Sequence, residues 1–238
     1  MRRYVGEHPF LFFNLYRLRP RYRHMLVNRR TQLVIEGFPR SGNTFAVVAF
    51  EQAQHERVRI AHHLHMPAQV MRAARWRIPT LVLARKPTDA VLSWVIREPE
   101  ISTYEAMKHY VWFYEKVAGY RSAFVVASFD EMTQDYGAVL ERVNSKFGTG
   151  FSLFDHSKDS VEGVFSRIEE RHRARRDGGL DEKRIARPSA AKAGMKSALK
   201  KELQAPQIKE ITARAEAIYK DFVVASTGEV VPHSTVDE

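Results

Sequence analysis

The chain contains no cysteine. That absence excludes a disulfide framework, a thiolate-bound metal and a cysteine nucleophile, and it fits a reducing compartment. Long apolar runs are missing as well, since no stretch approaches the roughly 20 residues needed to cross a bilayer as a helix. Phe10-Leu11-Phe12-Phe13 behind Arg2 and Arg3 begins like a secretory leader, but Asn14, Arg17 and Arg19 break the run and no small-residue cleavage site follows. The expectation is an unprocessed cytoplasmic protein whose basic, aromatic residues 1–30 pack on the core. Peripheral contact of that segment with a membrane is the second option. Internal repeats, low-complexity tracts and a convincing linker are also lacking, so one domain is expected over residues 1–238.

Negative charge is the scarcer sign, with 28 Asp and Glu against 38 Lys and Arg, a net +10. The excess favours polyanionic partners without choosing among nucleic acid, anionic lipid and a phosphate-rich small molecule. Apolar residues at 44% supply enough material for a full core.

Short apolar runs ending at Gly- or Pro-marked turns predict buried strands at residues 33–35 and 80–84, with weaker candidates at 58–62 and 124–127. Helical patterns are expected over 43–54, 67–76, 88–97 (Thr88 as N-cap), 102–120 and 135–147, the last closed by Gly148. Strands alternating with helices predict an α/β fold: a single three-layer domain, P-loop NTPase-like, with a central parallel sheet and helices on both faces. Residues 167–187 crowd charge around Asp177-Gly178-Gly179 and read as a surface loop, part of a basic lid over 156–205. Helical pattern resumes over 189–203 and 206–222, and the tail from residue 226 is expected to fray.

The segment Gly37-Phe38-Pro39-Arg40-Ser41-Gly42-Asn43-Thr44 lies between a predicted strand and a predicted helix. Such a turn aims free backbone N–H groups and the positive end of a helix dipole at one point, a ready anion site. Against the nucleotide P-loop pattern G-x-x-x-x-G-K-[ST], Gly37, Gly42 and Thr44 fit, but Asn43 stands where the phosphate-binding lysine belongs. The cation sits instead at Arg40. A plain helix-capping turn is the bland alternative. Arg85 leaves the second strong strand at its carboxyl edge, with Ser93 about two turns along the next helix and Asp89 in its first turn. Taken alone, that arrangement reads as a surface arginine before a routine helix start, and it leaves room for a second anion site. Between the two lies Ile60-Ala61-His62-His63-Leu64-His65-Met66-Pro67. Read as extended chain, it puts His63 and His65 on one face, away from His62 and Leu64. Imidazole suits a general base near neutrality. Three histidines in four residues also allow a zinc or copper site, and that reading comes second.

Pro39-Arg40-Ser41-Gly42-Asn43-Thr44 resembles the 5′-phosphosulfate loop of sulfotransferases that use 3′-phosphoadenosine 5′-phosphosulfate (PAPS). Arg85-Lys86-Pro87-Thr88-Asp89 through Ser93 resembles their 3′-phosphate motif, and His65-Met66-Pro67 their His-Leu-Pro segment. Phe129-Asp130-Glu131-Met132 is similar to a further segment near the family's fourth strand. The likeness, which spans residue 33 to about 145 and fits a bacterial-type branch, implies PAPS as co-substrate and no metal. It implies Arg40, Ser41, Gly42, Asn43 and Thr44 around the 5′-phosphate, Phe45 against adenine, and Arg85 with Ser93 at the 3′-phosphate. His65 becomes the general base, with His63 where the family carries lysine. The family's C-terminal signature is absent, and Arg184 to Ser189, with Arg187 as nucleotide ligand, is a candidate replacement. The implied acceptor is a hydroxyl or amine on a small molecule, carbohydrate or lipid-linked sugar, with no nucleic acid partner. The rival readings are a P-loop kinase of small molecules and a basic nucleic-acid-binding protein.

Overall fold

A computed structural model of the chain describes residues 2–174, 194–196 and 199–227. Four strands form its sheet: β1 (Leu33–Gly37), β2 (Ile60–His62), β3 (Thr80–Ala84) and β4 (Val125–Ser128). All pair in parallel in the order β2-β1-β3-β4, with Ile35 opposite His62 and Leu81, and Leu83 opposite Ala127. β1, β3 and β4 are buried along their whole length. Covered on both faces, they carry apolar residues on both faces rather than at alternate positions, with Glu36, Thr80 and Ser128 as buried polar exceptions.

The two faces are covered by different helices. Leu81 and Leu83 point into a core shared with α3 (Asn43–Ala53), α8 (Tyr136–Phe147) and α9 (Lys158–Ala174). Val82 and Ala84 point the other way, toward α5 (Pro87–Arg97), α6 (Thr103–Ala118) and α10 (Pro206–Thr227). The period-two alternation of one strand therefore feeds two separate cores. The molecule is α/β, a parallel sheet flanked by helices, as expected.

A third cluster extends the second face past β1 and β2. It joins Val34 and Ala61 to α4 (Pro67–Trp76) and to Phe12 and Phe13 of α2 (Pro9–Arg17). α1 (Arg2–Glu7) and a 3-10 turn at Pro20–Met25 complete this N-terminal layer. α7 (Phe129–Gln134) follows β4 directly, opened by a reciprocal capping box between Ser128 and Glu131.

Three expectations need correction. α5 opens at Pro87 with Lys86 in the cap position, not Thr88, because proline's fixed φ suits the first helical residue. Residues 167–174 are helix rather than loop. Val161, Val164, Phe165 and Ile168 recur at helical spacing and pack against the core beneath α3, while the charges face outward. The histidine segment is not extended beyond His62, because His63 and His65 adopt positive φ of 60° and 54°. Of the expected basic lid over 156–205, residues 175–193 and 197–198 lie outside the described residues, and Arg187 with them. Of the tail expected to fray from residue 226, residues 226 and 227 close α10 as helix, and the rest lies outside the described residues.

Candidate functional site

From β1 the chain crosses to β2 on one side, then returns to β3 on the other. The carboxyl ends of β1 and β3 therefore flank the point where strand order reverses, which is where open α/β sheets hold ligands. Both sequence-predicted anion motifs leave the sheet at this point.

The loop after β1 turns sharply into α3. Arg40 lies at φ 67° and Gly42, at the helix N-cap, at φ 94°. A side chain at Gly42 would displace the flexible end of Met132 and crowd Phe129, so it is chiefly the conformation that calls for glycine. Ser41 is fully buried. Asn43 is buried too, and its amide donates back to the Phe38 carbonyl at 3.2 Å. The residue at the P-loop lysine position thus ties the loop to itself and does not reach outward.

Two tyrosines of α6 brace this turn from below. The Tyr114 hydroxyl donates to the Leu83 carbonyl at 2.8 Å and accepts from the Phe38 amide at 3.4 Å, with Ser41 Oγ also at 3.4 Å. The Tyr110 hydroxyl donates to the Arg85 carbonyl at 2.8 Å. Burial raises both phenols well above their ordinary pKa, so they remain protonated donors. They are core, and their hydroxyls register the two anion loops against each other.

Arg40 and Arg85 meet in the crevice. Arg85 Nη1 donates to the Arg40 carbonyl at 3.0 Å, and Arg40 Nε donates to Ser93 Oγ at 3.0 Å. The Arg85 guanidinium also lies 4.0 Å above the Phe129 ring centroid, a cation–π contact. Desolvation, then the charges of Arg97 and Arg85, push Arg40 down to about 10, with Glu98 opposing. Burial also lowers Arg85, with Asp89 and Asp130 opposing. Asp89 itself pairs with Lys196 at 2.9 Å. Burial raises its pKa, but Lys196 and Arg85 together pull it below the usual value. Sequence reading missed Arg97 and Phe129 as site residues. Arg97 lies four residues after Ser93 on α5, a spacing that shares one helix face and was available as a signal.

The histidine segment joins the same loop at two points. His65 Nδ1 lies 2.8 Å from the Gly37 carbonyl, which can only accept, so Nδ1 carries the proton and Nε2 is the basic nitrogen of the neutral ring. His63 Nε2 lies 3.0 Å from Thr44 Oγ1 on α3, and its Nδ1 2.6 Å from His62 Nδ1. Beneath them Glu36, fully buried on β1, accepts from the Leu64 and His65 amides at 3.0 Å each. Its carboxylate lies 3.8 Å from His65 Nδ1. Burial raises Glu36 to about 7 against the pull of those amides and Gln69. Among the described residues no three histidine, aspartate or glutamate side chains converge as a metal site.

Backbone strain concentrates here. Of the four non-glycine residues at positive φ among the described residues, three are Arg40, His63 and His65. The fourth, Arg77, is the ordinary left-handed cap of α4. Such conformations persist where surrounding contacts hold them and cluster at functional sites.

The structure thus brings together Arg40, Ser41, Gly42, Asn43, Thr44, Arg85, Ser93, His63 and His65. It sets Phe45 apart: only 6% exposed, the ring packs against Phe154 and Phe165 in the core under α3. Phe129, beneath the Arg85 guanidinium, is a half-buried aromatic beside the two loops.

No family model matches the chain, and no curated protein matches it. Among solved structures, mouse sulfotransferase SULT7A1 complexed with PAP resembles it over 82% of this chain and 91% of that chain, at 11% sequence identity and a TM-score of 0.41. At those values the likeness carries no argument about activity.

Proposed function

We propose that the chain is a sulfotransferase that moves a sulfuryl group from PAPS to an acceptor hydroxyl or amine. The observation that carries this reading is the direct contact of Arg85 Nη1 with the Arg40 carbonyl, which joins two anion-binding loops in one crevice. One phosphate would need one such loop. A nucleotide with phosphates at both its 5′ and 3′ positions would use two.

The residues present fit that co-substrate. The Arg85 guanidinium reaches the Arg40 backbone, and Arg97 and Arg85 both depress the partly desolvated Arg40, an arrangement that a bound anion would relieve. Bound PAPS supplies an electrophilic sulfuryl group on a phosphate leaving group. Arg40 and the first-turn amides of α3 bind the 5′ end and stabilise charge gathering on the departing phosphate. Arg85 binds the 3′-phosphate, and Ser93 orients the Arg40 guanidinium between the two loops. His65, its tautomer set by the Gly37 carbonyl, takes the acceptor proton on Nε2. His63 bridges Thr44 to His62 and can hold the loop and the base in register.

Calorimetric titration tests the reading. Adenosine 3′,5′-bisphosphate should bind, and Arg40→Ala and Arg85→Ala should each weaken it by about tenfold to a hundredfold. Equal or tighter binding of ATP–Mg, or affinity indifferent to both substitutions, would overturn the assignment.

A further inference from the structure

The N-terminal layer carries an apolar surface that the fold does not use. α2 is apolar around most of its circumference. Phe12 and Phe13 face the core, with Tyr16 partly buried beside them. The opposite face presents Phe10, 76% exposed, Leu15, 48% exposed, and Leu18, 72% exposed in the helical cap position. Residues 10, 14 and 18 and residues 11, 15 and 18 form adjacent rows at four- and three-residue spacing, so these side chains share one outward stripe. A surface helix in water ordinarily keeps that face polar.

The charge beside it has one sign. Residues 1–30 hold eight arginines and one glutamate, a net +7 of the whole chain's +10. Arg17, Arg19, Arg21, Arg23, Arg29 and Arg30 are all exposed. No carboxylate among the described residues pairs with any of them. The 3-10 turn Pro20–Met25 folds back on α2, where Arg23 Nε donates to the Arg17 carbonyl at 2.8 Å. The basic turn and the apolar stripe are therefore contiguous.

We propose that this face docks on an anionic membrane surface, with Phe10, Leu15 and Leu18 entering the headgroup–acyl boundary and the arginines meeting lipid phosphates. Exposed apolar side chains beside exposed arginines that no described carboxylate neutralises match an interface that is apolar below and anionic above. No helix among the described residues is long and apolar enough to span the bilayer, so the attachment is peripheral. The layer also abuts the histidine segment. A Cβ at Gly6 of α1 would approach Met66 Sδ at 2.5 Å, and Met66 directly follows His65. The inference does not depend on the proposed reaction.

Vesicle sedimentation of the full chain tests it. Phosphatidylcholine vesicles with about 30 mol% phosphatidylserine should retain the protein, and pure phosphatidylcholine should retain it far less. Raising salt from about 0.05 to about 0.5 M should weaken retention. Phe10→Ser with Leu18→Ser should reduce it at least about tenfold while thermal unfolding stays unchanged, since both positions are exposed. Because the chain has no cysteine, a polarity-sensitive dye on Leu18→Cys reports directly. Its emission should shift to the blue with anionic vesicles, and the same dye on Glu141→Cys of α8 should not respond. No retention on anionic vesicles at low salt would overturn the proposal. So would retention insensitive to Phe10→Ser with Leu18→Ser but lost on replacing the arginines, which describes a general polyanion surface such as one for nucleic acid. A dimer in sedimentation velocity that Phe10→Ser dissolves would assign the face to a second copy instead.

Discussion

Arg85 holds Arg40 by its backbone: a guanidinium at the end of one strand donates to the carbonyl in the loop leaving its neighbour, at 3.0 Å. A lysine in place of Arg85 keeps the charge but loses the planar fork that serves the loop carbonyl and a ligand together. Arg85→Lys should therefore cost about tenfold in affinity for adenosine 3′,5′-bisphosphate, which a simple charge requirement would not produce. Calorimetry on Arg85→Lys beside Arg85→Ala separates the two.

Glu36 makes stability depend on pH. Its carboxyl titrates near 4.5 when unfolded and at about 7 in the fold. The unfolded chain releases this proton first, so the contribution is complete below 4.5 and is lost as pH rises through 7. The shift corresponds to something on the order of 3 kcal/mol. Urea unfolding at pH 5 and pH 8 should show this loss in the native chain. Glu36→Gln should flatten it, and an unchanged pH slope in the variant would refute the assignment.

Tyr114→Phe removes one hydroxyl that serves Leu83, Phe38 and Ser41. A loss of about 1–2 kcal/mol in thermal or urea unfolding is expected, because a buried amide and carbonyl lose a partner. Nucleotide affinity should fall too, although Tyr114 is buried behind the loop. Wild-type affinity in this variant would mean that the loop holds its shape without the strut.

Gly42→Ala is opposed mainly by a φ of 94°, and to a lesser degree by Met132, whose terminal methyl must turn aside. About 1–3 kcal/mol of destabilisation is expected. Adding Met132→Ala should recover only the steric part, which a double-mutant cycle in urea would measure.

What the sequence made legible was local. Strands buried on both faces appear as unbroken apolar runs, so Thr80–Ala84 was readable to the residue, and a turn between strand and helix marks the anion loop at Gly37 to Thr44. Contacts that close over distance were not readable. Glu36 meets the Leu64 and His65 amides 28 and 29 residues onward, and nothing in its neighbours announces that. α9 was hidden because its charged residues outnumber the four apolar ones that seat it. The histidine face was misread because alternation holds only while the backbone stays extended, and His63 and His65 leave that region.

Those left-handed residues have a further consequence. A glycine at 40, 63 or 65 would relax the local geometry by something near 1 kcal/mol, and it would also delete the side chain that the proposed chemistry needs. Selection for heat resistance alone would weigh that relief against the lost Arg40–Ser93, His63–Thr44 and His65–Gly37 contacts, whereas selection that retains ligand binding would keep all three side chains. A library randomised at these codons and sorted both ways would reveal which residues the molecule keeps at the expense of its own robustness.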